Sequence, residues 1–134
     1  MVVADTSVWI PFFTDLGSPE KQAIDSLIDG RELALVGVVL AELLQGCRNP
    51  KESQSILNTV TALDFLETTF STWQRAGDLS ASLRRKGITI PLTDLVIAAL
   101  ALEHGCQVYT LDPHFEQVPG LPLYQPAKKR VRNP

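Results

Sequence analysis

The 134-residue sequence predicts an α/β fold, a parallel sheet covered on both faces by helices. Three observations lead there. Short aliphatic or β-branched runs stand at Met1–Ala4, Leu33–Val36 and Cys106–Leu111, as in strands buried on both faces. Between them lie stretches with apolar residues at helical spacing, bounded by Ser-Pro, Asn-Pro and Gly. One of these, Asp94–His104, is apolar nearly all round, which suits a helix packed on both sides.

In chain order, the first strand ends at the polar trio Asp5-Thr6-Ser7, which is able to cap a helix. Pro11 lacks an N–H, so that helix should be short or kinked before Asp15. Ser18-Pro19-Glu20 opens a second helix, with Ala23, Ile24, Leu27 and Ile28 on one face and Gly30 as its stop. After the strand Leu33–Val36, a helix through Val38–Gln45 carries Glu42. Asn49-Pro50 starts another, with Ile56, Leu57 and Val60 inward, and Leu63–Leu66 reads as a further strand. Ser71 is the predicted cap of a longer helix striped by Trp73, Ala76, Leu79 and Leu83 and ended by Gly87. Thr93 is the predicted cap of the apolar helix, which stops at Gly105. The strand Cys106–Leu111 then runs to Asp112-Pro113.

Composition narrows the function. Hydrophobic residues are 45% and charged residues 20% of the chain, which excludes wholesale disorder and suits one domain. The two cysteines, Cys47 and Cys106, form neither a CxxC pair nor a zinc spacing, the pattern of a reduced cytoplasmic protein. The longest apolar runs, Leu33–Ala41 and Leu95–Leu102, fall well short of the roughly 18 residues a bilayer span needs, and no signal peptide is apparent. Net charge is −3, and four basic residues lie within 128–132, so the remainder carries −7. An acidic folded body, 1–127, is therefore expected ahead of a short basic tail, 128–134. Such a body does not grip nucleic acid by bulk positive charge.

Ligands of open α/β sheets bind beyond the carboxyl ends of the strands. Asp5 and Asp112 each follow a predicted strand directly. Asp94 opens the buried helix, and Glu42 lies within an apolar helical segment. Each also has a structural role open to it: Asp5 and Asp94 as helix caps, Asp112 as a turn residue. Glu42 resists such a reading, because an unpaired carboxylate in an apolar run is costly if buried. If the four converge, their repulsion requires a counter-charge or raised pKa values. Oxygen ligands without a His/Cys cluster suit Mg²⁺ or Mn²⁺ rather than zinc.

The strings DTSVWI at 5–10, LAELLQG at 40–46, LTDLVIAALALEHG at 92–105 and YTLDPHF at 109–115 resemble the PIN-domain nucleases. The likeness is greatest to the VapC toxins of bacterial toxin–antitoxin pairs and covers nearly the whole chain in order. It implies a three-layer α/β/α sandwich that cuts RNA with Mg²⁺ or Mn²⁺, pairs with a VapB-like antitoxin and forms a homodimer. It places Asp5, Glu42, Asp94 and Asp112 at the family's catalytic and metal-binding positions, with Thr6 or Ser7 as a supporting hydroxyl. Asp5 and Asp94 would be the direct ligands, and Asp112 and Glu42 would act through water or orient the nucleophile. The chain departs from the family pattern twice: His114 stands where many relatives carry a further Asp, and Pro11 interrupts a helix that is usually continuous.

Other features read more plainly. Arg84-Arg85-Lys86 closes a helix, where cations complement the dipole. Trp9, Phe12 and Phe13 form an apolar cluster near Asp5, suited to core packing or in part to an exposed groove for a partner. A phosphoaspartyl hydrolase needs an Asp where Ser7 stands, and a receiver domain needs an acidic pair after its first strand. The remaining alternative is a catalytically inactive binding module on the PIN fold.

Overall fold

The computed structural model describes residues 1–127; the basic tail assigned at 128–134 lies outside the described residues. The elements run β1 (Val2–Ala4), α1 (Thr6–Thr14), α2 (Pro19–Asp29), β2 (Leu33–Val36), α3 (Gly37–Gln45), α4 (Pro50–Val60), β3 (Asp64–Leu66), α5 (Phe70–Arg85), α6 (Leu92–His104) and β4 (Gln107–Tyr109). A short 3-10 helix follows at Pro113–Gln117. The four strands are parallel in the order β3-β2-β1-β4. The crossovers from β1 to β2 to β3 step toward one edge, and the chain returns from β3 to the other edge through α5 and α6. With right-handed crossovers, α1–α4 and α5–α6 fall on opposite faces, which makes the α/β/α sandwich.

The sheet is small, and its inner strands are wholly buried: Val2, Val3 and Ala4 in β1 and all of Leu33–Val36 in β2. Helix α6 lies against β1 and β4, with α5 outside it. Its residues Leu95–Ala101 are all buried, as the all-round apolar sequence requires. Gly105 then takes the left-handed conformation, φ 64°, that ends the helix.

Several local expectations are corrected. Thr69, not Ser71, caps α5, in a reciprocal pair with Thr72. The inward stripe of α5 is Thr72, Ala76, Leu79 and Leu83, while Trp73 is 54% exposed. Thr72 tolerates burial because its hydroxyl donates to Glu103 Oε2 at 2.9 Å, so a polar residue takes the place that hydrophobicity assigned to Trp73. Leu57 is only half-buried. Helix α6 begins at Leu92 behind Pro91, without a side-chain cap, and Thr93 is exposed. At the end of α2, Gly30 stays right-handed, and Arg31 adopts the left-handed φ of 54°. Helix α1 accommodates Pro11 and ends at Thr14, short as expected.

The last strand is only Gln107–Tyr109 rather than Cys106–Leu111. Its free edge is met by a segment the sequence did not mark: Val108 N–H donates to Pro122 O (2.9 Å) and Tyr124 N–H to Val108 O (2.8 Å). No helix among the described residues is long and apolar enough to cross a membrane.

Candidate active site

Register decides the site. Ala4 pairs with Tyr109, so β1 and β4 end level, and Asp5 N–H donates to Tyr109 O at 3.0 Å. The residues that follow each strand, Asp5 and Thr110, are therefore neighbours. Here the strand order also reverses, β1 leading one way across the sheet and β4 arriving from the other, which opens the crevice where such folds bind ligands.

Asp5 is 5% exposed and does two jobs. Its Oδ1 caps α1, accepting from Ser7 N–H at 3.1 Å and from the Ser7 hydroxyl. Its Oδ2 accepts from the Thr110 hydroxyl at 2.7 Å. Both hydroxyls are themselves acceptors from the chain leaving β4: Leu111 N–H donates to Ser7 Oγ and Asp112 N–H to Thr110 Oγ1, each at 2.9 Å. Two relays thus tie the 110–112 loop to one carboxylate. A carboxylate offers about four lone-pair sites. Three are taken, and one remains for the crevice.

Asp112 caps the 3-10 helix, its Oδ1 accepting from His114 N–H at 2.9 Å, with Pro113 at the first helical position. The turn folds His114 back. Its Nδ1 lies 3.2 Å from Asp112 Oδ1 and 3.4 Å from Asp94 Oδ2. Asp94 is the third residue of α6, at the positive end of the helix dipole. Ligand atoms of Asp94, Asp112 and His114 all lie within 4.8 Å of one another. Glu42, half-buried on α3, completes the acidic lining. The Thr6 hydroxyl is buried beside it without a well-formed hydrogen bond to any described group.

The acids feel one another. Burial pushes the Asp5 carboxyl above its ordinary range; the Ser7 and Thr110 hydroxyls oppose the rise, while Asp94 and Asp112 add to it. Burial likewise raises Glu42, against Thr6 and reinforced by Asp94 and Asp5. Asp94 is raised by burial and by Asp112, with His114 opposing. Among the described residues, no Lys or Arg pairs with any of the four acids: the Lys21–Asp25, Arg48–Glu52 and Arg75–Glu103 pairs lie elsewhere, and the ring nitrogen of His114 lies beside Asp94 and Asp112. Oxygen-rich, short of positive charge and open to the crevice, the donor set fits a divalent cation.

Thr110 and the inward turn of His114 were missed by sequence reasoning. Thr110 is one short polar residue between a strand and an acid, and only the strand register pairs it with Asp5. Of the aromatic cluster, Trp9 and Phe12 belong to the core, and Phe13 is partly exposed. Phe13 lines a groove of about 530 Å³ with Thr6, Ile10, Glu42, Cys47 and Ile56, which opens from the acidic site. A second groove, about 590 Å³, runs along α5 to Glu103, nine residues along α6 from Asp94 and so about 14 Å away.

Residues 2–121 match the PIN domain family. The chain belongs to that family. Its relatives are VapC proteins: it is 25% identical over 134 residues to ribonuclease VapC11 of Mycobacterium tuberculosis, covering 97% of this chain and all of that one. To ribonuclease VapC51 of the same organism it is 31% identical over 101 residues, covering 73% and 72% of the two chains. Two solved structures show the same fold. Rickettsia felis VapBC2, bound to a promoter DNA fragment, superposes with a TM-score of 0.79 at 23% identity over 92% of this chain and 98% of that one. M. tuberculosis VapC20, described as a Sarcin-Ricin loop cleaving toxin, superposes with a TM-score of 0.68 at 18% identity over 94% and 100%. The PIN assignment agrees with the three-layer sandwich.

Two measurements probe this PIN domain's site. A carboxyl with a raised folded pKa loses its proton first in the unfolded chain, so its ionisation costs stability as pH rises past about 4, and the cost persists above the folded pKa. In chelator, Asp94→Asn should therefore melt higher than wild type at pH 7, with the gap closing toward pH 4. An Asn variant that melts lower at pH 7 would contradict this electrostatic account.

Thr110→Val keeps the shape but strips Asp112 N–H and Asp5 Oδ2 of their partner. Chemical denaturation should show a loss of about 1–3 kcal/mol. The Asp5 carboxyl, followed by carbon-13 NMR, should titrate higher still. Thr110→Ser should restore both, and a valine variant with an unmoved Asp5 titration would break the relay.

Proposed function

We propose that this PIN domain is a metal-dependent endoribonuclease, cleaving RNA phosphodiester bonds with Mg²⁺ or Mn²⁺, and that it is the toxin of a type II toxin–antitoxin pair acting in the cytoplasm. The observation that carries the reading is the convergence of Asp5, Glu42, Asp94 and Asp112 at the carboxyl end of the sheet, with no Lys or Arg among the described residues paired with them. The ribonuclease names of its VapC relatives support it. Stability alone would not retain four mutually repelling acids, two of them 4.8 Å or less apart; at that distance the repulsion is on the order of 3–4 kcal/mol at an effective dielectric of 20.

Asp5 and Asp94, the direct ligands the family resemblance implies, would hold the cation together with Asp112, whose carboxylate comes within 4.8 Å of that of Asp94. Such a cation polarises a phosphoryl oxygen and lowers the pKa of water it binds. The chain's own residues do the rest. Ser7 and Thr110 keep the Asp5 carboxylate in one orientation, so no reorganisation is needed on substrate binding. Glu42, whose carboxyl is pushed above its ordinary range by burial and then by Asp94 and Asp5, is suited to accept a proton from attacking water.

A VapB-like antitoxin is the proposed partner. The groove running from Glu42 past Ile10 and Phe13 offers an apolar segment a seat and opens on the acids, where a basic side chain would be neutralised. A homodimer is proposed with it, which light scattering on the purified chain reads directly as a doubled mass.

Purified protein should cleave single-stranded RNA with Mg²⁺ or Mn²⁺ and stop in chelator. Asp5→Asn and Asp94→Asn should each lower the rate by about a hundredfold or more with the circular dichroism unchanged. Cleavage in chelator, or at the wild-type rate by either variant, would sink the nuclease reading.

Co-expression with a cognate VapB-like antitoxin should suppress cleavage, and Phe13→Glu, on the groove wall, should relieve that suppression. Undiminished cleavage in the co-purified complex would remove the antitoxin role.

A further inference from the structure

Among the described residues, position 114 carries the one nitrogen donor at an otherwise oxygen-lined site. The turn Asp112-Pro113-His114 aims it inward. Asp112 caps the 3-10 helix, Pro113 sets its first turn, and Phe115, 1% exposed, anchors the segment in the core. The imidazole Nδ1 is left between Asp112 Oδ1 (3.2 Å) and Asp94 Oδ2 (3.4 Å). All three ligand atoms fall within the span one cation could bridge.

Carboxylate and water ligands suit Mg²⁺ and Mn²⁺ alike, but imidazole does not. Mg²⁺ is hard, gives up water reluctantly and prefers oxygen; Mn²⁺ shares the preference for oxygen but, as a first-row transition ion, admits an imidazole among its ligands more readily than Mg²⁺ does. Zinc's usual donors, several His and Cys together, are not assembled here: His104 is at the far end of α6, and Cys106 is buried with its thiol toward His104 O.

We propose that His114 is a ligand of the site's divalent cation and that it tilts the site from Mg²⁺ toward Mn²⁺. The inference rests on the reading that Asp94 and Asp112 hold a cation. The test keeps the two apart.

Chelator-stripped protein is titrated with MgCl₂ and, separately, MnCl₂ by calorimetry. The Mn²⁺-loaded protein, carrying nitrogen-15 histidine, is then examined by pulsed electron paramagnetic resonance. Wild type should bind Mn²⁺ at least about tenfold more tightly than Mg²⁺ and show coupling to an imidazole nitrogen. The chain has two histidines, so the assignment is direct. His104→Gln should keep the coupling, and His114→Gln should lose it together with most of the Mn²⁺ preference. His114→Asp should bind both cations with the ratio moved toward Mg²⁺. If wild type binds neither cation, or Asp94→Asn binds as well as wild type, the cation-site reading falls and this proposal with it. If Asp94→Asn loses binding but wild-type Mn²⁺ shows no nitrogen coupling, or His114→Gln keeps the preference, His114 is no ligand and only this proposal is overturned.

Discussion

One carboxylate ties the working end of this molecule together. Asp5 accepts from the Ser7 backbone, the Ser7 hydroxyl and the Thr110 hydroxyl, and those two hydroxyls in turn accept from Leu111 and Asp112. A buried ionised group is tolerable only when its lone pairs are met, and here the donors come from both sides of the sheet's crevice. The same bonds that solvate Asp5 position Asp112, whose own carboxylate then turns the chain and brings His114 inward. Loosening the relay would therefore disturb several site residues at once.

The rest of the fold holds this arrangement rigid against its own electrostatics. Asp94 stands at the start of α6, and the buried run Leu95–Ala101 fixes that helix against β1 and β4. A packed interior does not deform easily, so the acids cannot relax apart to relieve their repulsion. Burial first, and the neighbouring acids after it, push the Asp5, Glu42 and Asp94 carboxyls upward, and such shifts gathered in a crevice mark a candidate functional site.

The crevice and the adjoining groove are continuous in composition as well as in space. Glu42 and Thr6 belong to both, while Ile10, Phe13 and Ile56 make the far part apolar. Charge at one end and apolar surface at the other distinguish what each end can recognise. A polyanion would need a cation to approach the acids, whereas a polypeptide with one basic residue and an apolar stretch would not.

Sequence by itself determined the alternation of strands and helices, the all-round burial of α6, the stops at Gly87 and Gly105, and the positions of Asp5, Asp94 and Asp112 at strand and helix ends and of Glu42 within a helix. Those are local properties, set by residue type and spacing of a few positions. Tertiary structure decided which groups meet. Thr110 serves Asp5 from 105 residues away, a relation created by the level ends of β1 and β4. Trp73 turned outward because the buried Thr72 found a hydrogen-bond partner in Glu103, 31 residues on. The edge of β4 was closed by Pro122–Tyr124, which carries no strand periodicity. His114 appeared from sequence as a loop residue and became a site neighbour only when Asp112 folded the turn back. Each of these depends on a hydrogen bond or a register between distant segments, and hydrophobic periodicity contains no term for either.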